Sequence, residues 1–377
     1  MDNMKIAFYV NIVSPHQIPL ADELAKRVGP GNFRYVYWEK FHAERAKMGW
    51  GLLEREWISD DKKLLENADV IYTATRDVEL IERWLRAGKR VFYYGERWFK
   101  PVLVPSALCL VLRVLMKYSG RLRMLVPGYR RMAKRFVGLA REYECFKVLP
   151  MGVHALRDFE WLGVPREKME LWGYFVAPGA QRHEACSVKH EACEERTLKV
   201  LWVGRMLGLK RIEDVIRAVR RVNGRVEREK GRTRRVELTI VGNGPERVRL
   251  EKLAEQLEGR ARGTRAPSVT FRDSVPLAEV RTLMREHDVF VMASNAYEGW
   301  GAVVSEALEE GMAVVGTEEA GASATMLPEE YRYRAGDFEK LEKILVEMDV
   351  DGCRRKEHEI YFNKWTVVKA AERLMEI

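Results

Sequence analysis

"DVFVMASNAYEGWGAVVSEALEEG", residues 288–311, joins two patterns whose meeting point decides the fold. Its opening run, Asp288 to Ser294, is apolar on both faces, as a strand covered on both sides of a sheet must be. The segment from Ala302 reads as a helix, so Glu298 to Gly301 is the turn between them, with Trp300 set between Gly299 and Gly301.

Runs of the same kind recur along the chain. In the first half they are 5–12, 33–39, 69–75, 89–96 and 146–152; in the second, 198–205, 236–243, 269–273, 288–294 and 312–317. Charged, amphipathic stretches separate them, the signature of βα repeats and buried parallel strands. Two series that each start afresh predict an α/β chain of two doubly wound, Rossmann-like domains. The 377 residues suit two such domains. The expected boundaries are 1–175 for the first domain, 176–196 for a polar linker and 197–355 for the second. Residues 356–377 are expected as a helical end packing back on the first domain, on the stripe Val367, Ala371, Leu374. Ligands of open α/β sheets lie beyond the carboxyl ends of the strands. Functional residues are therefore expected at strand ends, facing an interdomain cleft.

Composition narrows the class. At 47% hydrophobic and 32% charged the chain reads as soluble and globular. Met1 to Lys5 leads directly into a strand-like run, which predicts no secretory leader. Five scattered cysteines (109, 145, 186, 193, 353) suit a reducing compartment. A cytoplasmic protein is expected, with the inner face of the cytoplasmic membrane as one possible place of work. The net charge of +9 is uneven: eleven Lys/Arg and no Asp or Glu fall between Arg97 and Arg141. The apolar run 101–112 is too short to span a bilayer, which takes about 20 residues. The stripe Tyr129, Met132, Phe136, Leu139 has helical spacing, with arginines on other faces. Such a helix can lie on an anionic membrane or pack its stripe into the first domain; peripheral membrane contact through 101–141 is the reading preferred. No nucleic-acid-binding module accompanies the charge.

The chemistry-bearing residues follow strand ends. After "LKVLWVG" come Arg205 and Lys210, a planar fork and a compact charge that could both reach one diphosphate, or remain solvated loop charges. After the next strand, Gly242-Asn243-Gly244-Pro245 allows close approach of backbone to a ligand, although ordinary turns look similar. At the opening stretch, a helix start with flanking glycines suits a phosphate. Glu298 could accept from sugar hydroxyls and Glu306 from a ribose; a polar turn and a solvated helix face are the plainer alternative.

In this order, "GR" with Lys210 (204–210), "VGNGP" (241–245) and "EGWGAVVSE" (298–306 from its glutamate) resemble the retaining glycosyltransferases of family 4, which have the GT-B fold. Ser14 to Pro19, Gly95 to Arg97 and Gly173 to Phe175 are similar to elements of the same enzymes. The resemblance implies that Arg205 and Lys210 bind the donor diphosphate and stabilise its leaving charge. It implies that Glu298 holds donor-sugar hydroxyls and Glu306 the ribose. Gly204, Gly242, Asn243, Gly244, Ser274, Gly299, Trp300 and Gly301 would border the donor, with Trp300 either turned inward or walling the sugar pocket. No metal or other cofactor is expected, since two cations and a helix start would neutralise the diphosphate.

The first domain would take the acceptor, a glycan or a polyprenyl- or other lipid-linked one. His16 and Gln17 stand on the loop after its first strand, where His16 either meets a substrate hydroxyl or caps the next helix. Glu96 is a candidate catalytic carboxylate near the reacting carbon, or else a partner of Arg97 or another cation. The glycine pair usual in the first loop of similar enzymes is missing here. The resulting expectation is transfer of a sugar from a UDP- or GDP-sugar to such an acceptor in surface polysaccharide assembly. A nucleotide-sugar epimerase of the same fold and a non-catalytic binder of anionic lipid or glycan are the rivals. Two further signals are expected to be silent: the His183, Cys186, His190, Cys193 repeat, with unusual spacing for zinc, and Asp349-Val350-Asp351, read as a surface turn.

Overall fold

The computed structural model describes residues 4–39, 55–99, 121, 123–179, 197–228, 234–258 and 268–376. Its chain divides into two compact units, residues 1–177 with 367–377, and 178–366. Each is built on a six-stranded parallel sheet.

In the first unit the strands are β1 (Ile6–Val10), β2 (Phe33–Tyr37), β3 (Ile58–Ser59), β4 (Val70–Thr73), β5 (Arg90–Gly95) and β6 (Phe146–Pro150), in the order β3-β2-β1-β4-β5-β6. In the second they are β7 (Leu198–Val203), β8 (Val236–Val241), β9 (Val269–Arg272), β10 (Val289–Met292), β11 (Ala313–Thr317) and β12 (Arg332–Tyr333), in the order β12-β11-β10-β7-β8-β9. Both orders reverse once, between β1 and β4 and between β7 and β10. At those points the crossovers leave to opposite sides and the strand-end loops open a crevice. All ten sequence-predicted strands are present. The two-residue strands β3 and β12 are too short to leave a periodic signal.

Burial follows the apolar runs. Every residue of β1, β10 and β11 is buried, as expected for strands covered by helices on both faces. The helices carry their own boundary signals. Asp77 caps the helix Val78–Arg86 by accepting from the Leu80 amide at 3.0 Å.

The helix Pro127–Glu142 buries Ala133, Phe136, Val137, Leu139 and Ala140 against the first unit's core, with Tyr129 and Met132 packed alongside. This corrects the preferred membrane reading of that stripe. The first unit's core already takes its apolar face, and Arg130, Arg131 and Lys134 are left exposed. Residues 101–112 lie outside the described residues. No helix among the described residues is long and apolar enough to cross a membrane.

The chain end also differs from expectation. Residues 356–366 stay with the second unit because Tyr361 and Trp365 are buried there, the latter with its ring 5.8 Å from that of Trp300. Only the last helix, Val367–Glu376, joins the first unit. It buries Val367, Ala370, Ala371 and Leu374, and its Arg373 bonds Glu170 at 2.8 Å and lies 4.8 Å over the Trp172 ring. At the other crossing, Pro178 and Gly179 already belong to the second unit, and 180–196 lie outside the described residues.

Gly242 shows what the second unit demands of its loops. Its φ is 136°, and a Cβ there would stand 1.9 Å from the Gly204 carbonyl oxygen. Two backbones meet where no side chain fits. Gly242→Ala is expected to lower stability by at least about 2 kcal/mol, measured by urea unfolding; an unchanged midpoint would contradict this packing.

Candidate functional site

In the second unit, the loops that follow β7, β8, β9 and β10 are tied to one another by backbone bonds. Gly204 donates to Val241 O at 3.0 Å, and Met206 donates to Asn243 O at 2.8 Å. Gly242 donates to Arg272 O at 3.1 Å, and Asn295 donates to Leu209 O at 2.9 Å. Hydrogen bonds between loops fix them where side-chain contacts alone would leave them free to move.

Within this frame Lys210 Nζ bonds and pairs with Glu298 Oε2, their side chains 19% and 16% exposed. The pair bridges the first loop to the glutamate–glycine turn across the β7/β10 reversal. At this degree of burial neither charge is fully screened by water, and loss of either partner would strand the other. Lys210 ends a short 3-10 turn, Gly208–Lys210. Arg211 follows with φ 46°, the one positive-φ residue other than glycine among those described. That sparsely populated conformation is held by a two-pronged bond from Arg211 to the buried Asp214 (2.6 and 3.0 Å), which also accepts from Gly336 N at 2.9 Å. The turn that aims Lys210 is thus anchored in the core. Arg205 stands exposed on the same loop.

The other expected donor residues are distributed as follows. Asn243 is exposed, its side-chain oxygen accepting from Arg247 Nη1 at 2.6 Å and its amide facing Asp273 at 3.4 Å. Ser274 is exposed on the loop after β9. Gly301 has φ 90° and opens the helix Ala302–Glu309. Gly299 and Trp300 contact the next helix: a Cβ on Gly321 would meet Gly299 O at 2.4 Å, and Ala322 N bonds Trp300 O at 2.9 Å. Trp300 takes the inward alternative. It is 1% exposed, against Trp365, and its indole N–H has no partner among the described residues. Its side chain serves as the plug beneath the turn, and its main chain is what remains for a ligand.

Glu306 lies 7% exposed on the helix. Burial holds its carboxyl above the ordinary range, with Arg281 opposing and Glu310 adding to the shift. The residues around it went unread in the sequence. Arg281 and Arg285 pair with the buried Glu310 at 3.2 and 2.7 Å, and Glu309 accepts from Gly179 N at 3.0 Å. No periodic or motif signal distinguishes them, because their meaning comes from the packing of one helix on another.

In the first unit a cavity of about 470 Å³ opens at the ends of β1, β4, β5 and β6, lined among others by Asn11, His16, Gln17, Arg76, Glu96 and Tyr174. The expected acceptor residues His16 and Gln17 and the candidate catalytic Glu96 thus share one pocket. Gln17 has both ends of its amide engaged: it donates to Tyr94 OH and accepts from Tyr35 OH at 2.6 Å. Its part is to shape the wall. His16 lies 5.7 Å, ring to ring, from Tyr174, and burial lowers its pKa, which favours the neutral imidazole. Tyr174 is hydrogen-bonded to Glu96, a partner the sequence did not suggest. Arg97, considered there as Glu96's partner, lies 3.6 Å from the buried Asp158.

Among the described residues no group of three or more His, Cys, Asp or Glu could hold a metal. The His183–Cys193 repeat lies outside them. Asp349 and Asp351 flank a helix start, where Asp351 faces Arg354 at 3.4 Å.

Residues 197–348 match the model of the family described as glycosyl transferases group 1. No curated protein matches the chain in sequence. Several solved structures share its fold. HepE of Anabaena, in complex with UDP, superposes with a TM-score of 0.64 at 15% identity, covering 99% of both chains. The apo form of the lipopolysaccharide outer core galactosyltransferase WaaB gives 0.62 at 13%, over 99% of this chain and 98% of that one. WaaG, a glycosyltransferase involved in lipopolysaccharide biosynthesis, gives 0.53 at 17%, over 98% of each. At these identities the likeness is one of fold, the GT-B pattern of two Rossmann-like units. The match over residues 197–348 together with that fold makes the chain a glycosyltransferase.

Glu306 gives a prediction that needs no substrate. Its folded pKa lies above the unfolded one, so its contribution to stability is fully present below the unfolded pKa, about 4.3, and is lost as pH rises through the folded value. Glu306→Gln removes that loss and should raise the melting temperature at pH 7.5 relative to the native chain, with a smaller gain at pH 4.5. A lower melting temperature at pH 7.5 would contradict the assignment.

Proposed function

We propose that this chain transfers a sugar, with retention of anomeric configuration and without a metal ion, from a nucleotide-diphosphate donor to a glycan or lipid-linked acceptor. The observation that carries this is the Lys210–Glu298 pair, which brings the "GR…K" loop and the glutamate–glycine turn to one strand-end corner. There Lys210 and Arg205 meet the diphosphate, Glu298 the sugar hydroxyls and Glu306 the ribose. HepE's structures with UDP and UDP-glucose favour uridine as the base here, with guanosine next.

In the retaining step the acceptor oxygen attacks the anomeric carbon from the face the diphosphate leaves. The carbon–oxygen bond to phosphate breaks, and the departing phosphate oxygen takes the acceptor's proton. What the protein supplies is stabilisation of the charge growing on that phosphate, by cations already in place. The pocket of His16, Glu96 and Tyr174 takes the acceptor. Surface polysaccharide assembly at the inner face of the cytoplasmic membrane is the setting proposed. Contact with anionic lipid would then run through Arg130, Arg131 and Lys134 beside the exposed Leu125 and Val126.

A thermal-shift comparison of UDP- and GDP-sugars identifies the donor, since a ligand stabilises the state it binds. With that donor, Arg205→Ala and Lys210→Ala should each lower kcat by about 10²–10³-fold, and EDTA should leave the rate unchanged. Wild-type rates in both variants would refute the diphosphate role, and loss of activity in EDTA would refute metal independence. Isomerised donor in the absence of acceptor, with no transfer, would point to an epimerase.

A further inference from the structure

The first unit's pocket holds a cation, Arg76, with no carboxylate paired to it among the described residues. Arg76 leaves β4 and reaches the wall of the cavity. Its guanidinium lies 4.5 Å over the Trp98 ring, with the hydroxyls of Tyr93 and Tyr129 close by. These partners orient a positive charge without cancelling it.

The neighbouring carboxylates are otherwise engaged. Asp77, next in the chain, caps the following helix through Leu80 N. Asp158 accepts from Phe99 N at 3.0 Å and faces Arg97 at 3.6 Å. Glu96, in the same lining, accepts from the Tyr174 hydroxyl, and no ion pair joins it to Arg76 among the described residues. Residues 100–122, which follow this wall in the chain, contain no Asp or Glu. A guanidinium has five donors in a fixed fork, and Arg76 lines the cavity with no carboxylate bonded to that fork among the described residues. Taking such a charge out of water is costly unless an anion joins it. The pocket is also too polar, with Asn11, His16 and Glu96 in its lining, to be an apolar slot.

We propose that this pocket binds the phosphate or diphosphate group of an anionic acceptor, with Arg76 as the residue that holds it. The inference rests on the reading of the pocket as the acceptor site. Two sources carry the same chemistry: a prenyl diphosphate anchored in lipid, and a soluble sugar phosphate.

The test uses the full chain saturated with UDP, so that phosphate probes do not occupy the donor loops. Calorimetric titrations compare farnesyl diphosphate with farnesol, and glucose 6-phosphate with glucose. At least one phosphorylated probe should bind while its uncharged counterpart does not; which one binds tells a lipid-borne from a soluble source. Arg76→Gln should weaken that binding by at least about tenfold, and Arg76→Lys by less, since a point charge replaces the fork. UDP affinity unchanged within about twofold in both variants shows that the fold is intact. The proposal is overturned if neither phosphorylated probe binds, if farnesol or glucose binds as tightly, or if Arg76→Gln binds the probe like the native chain. If UDP itself fails to bind, the donor assignment falls, and the same titrations on the unloaded chain still decide the pocket.

Discussion

The ion pair between Lys210 and Glu298 is the contact on which the rest of the second unit's site depends. A doubly wound sheet supplies a crevice at its strand reversal but does not say how the loops on either side will meet. Here one loop offers an amine and the other a carboxylate, both more than four-fifths buried, so each is held by the other. Arg211 in its left-handed conformation, clamped to Asp214, sets the angle of the first loop. Trp300, buried against Trp365, sets the height of the second. Remove any of these and the pair loses its geometry before it loses its chemistry.

The pair also changes what the two residues do before a ligand arrives. The sequence suggested separate tasks, cation to phosphate and carboxylate to sugar. In the folded chain each is the other's counter-ion, so a donor bound as proposed would insert into an interaction already made. Phosphate and sugar hydroxyls can share in it, because an ammonium has three donors and a carboxylate four lone-pair sites. A site arranged in this way is preorganised, and its charges need little reorientation during reaction.

How much of this was legible follows from the range of each signal. The ten longer strands announce themselves as short β-rich apolar runs, unbroken where both faces are buried, as in β1, β10 and β11. The loops after β7, β8 and β10 were legible because glycines and charges at strand ends are few and spaced. Residues that act only through tertiary contact were not. Arg281 with Glu310, and Tyr174 with Glu96, sit far apart in the chain and carry no local pattern. Arg76 was adjacent to a recognised strand and still passed over, since one arginine among 65 basic residues means little until its lack of a carboxylate is visible. The stripe of Tyr129, Met132, Phe136 and Leu139 shows the opposite error. Its periodicity was read correctly, but periodicity cannot say whether a core or a membrane covers it. The fate of residues 356–366 was misjudged for the same reason: the contact of Trp365 with Trp300 is visible only in the folded chain.

The central claim is that Lys210 and Glu298 act on the donor as one unit. A double-mutant cycle tests it most directly, with Lys210→Met, Glu298→Gln and the double variant titrated with the preferred nucleotide sugar. The account predicts strong coupling: the double variant loses little more affinity than the worse single one, a non-additivity of about 1–3 kcal/mol. Losses that simply add would mean that the two side chains meet the donor independently, and would contradict it.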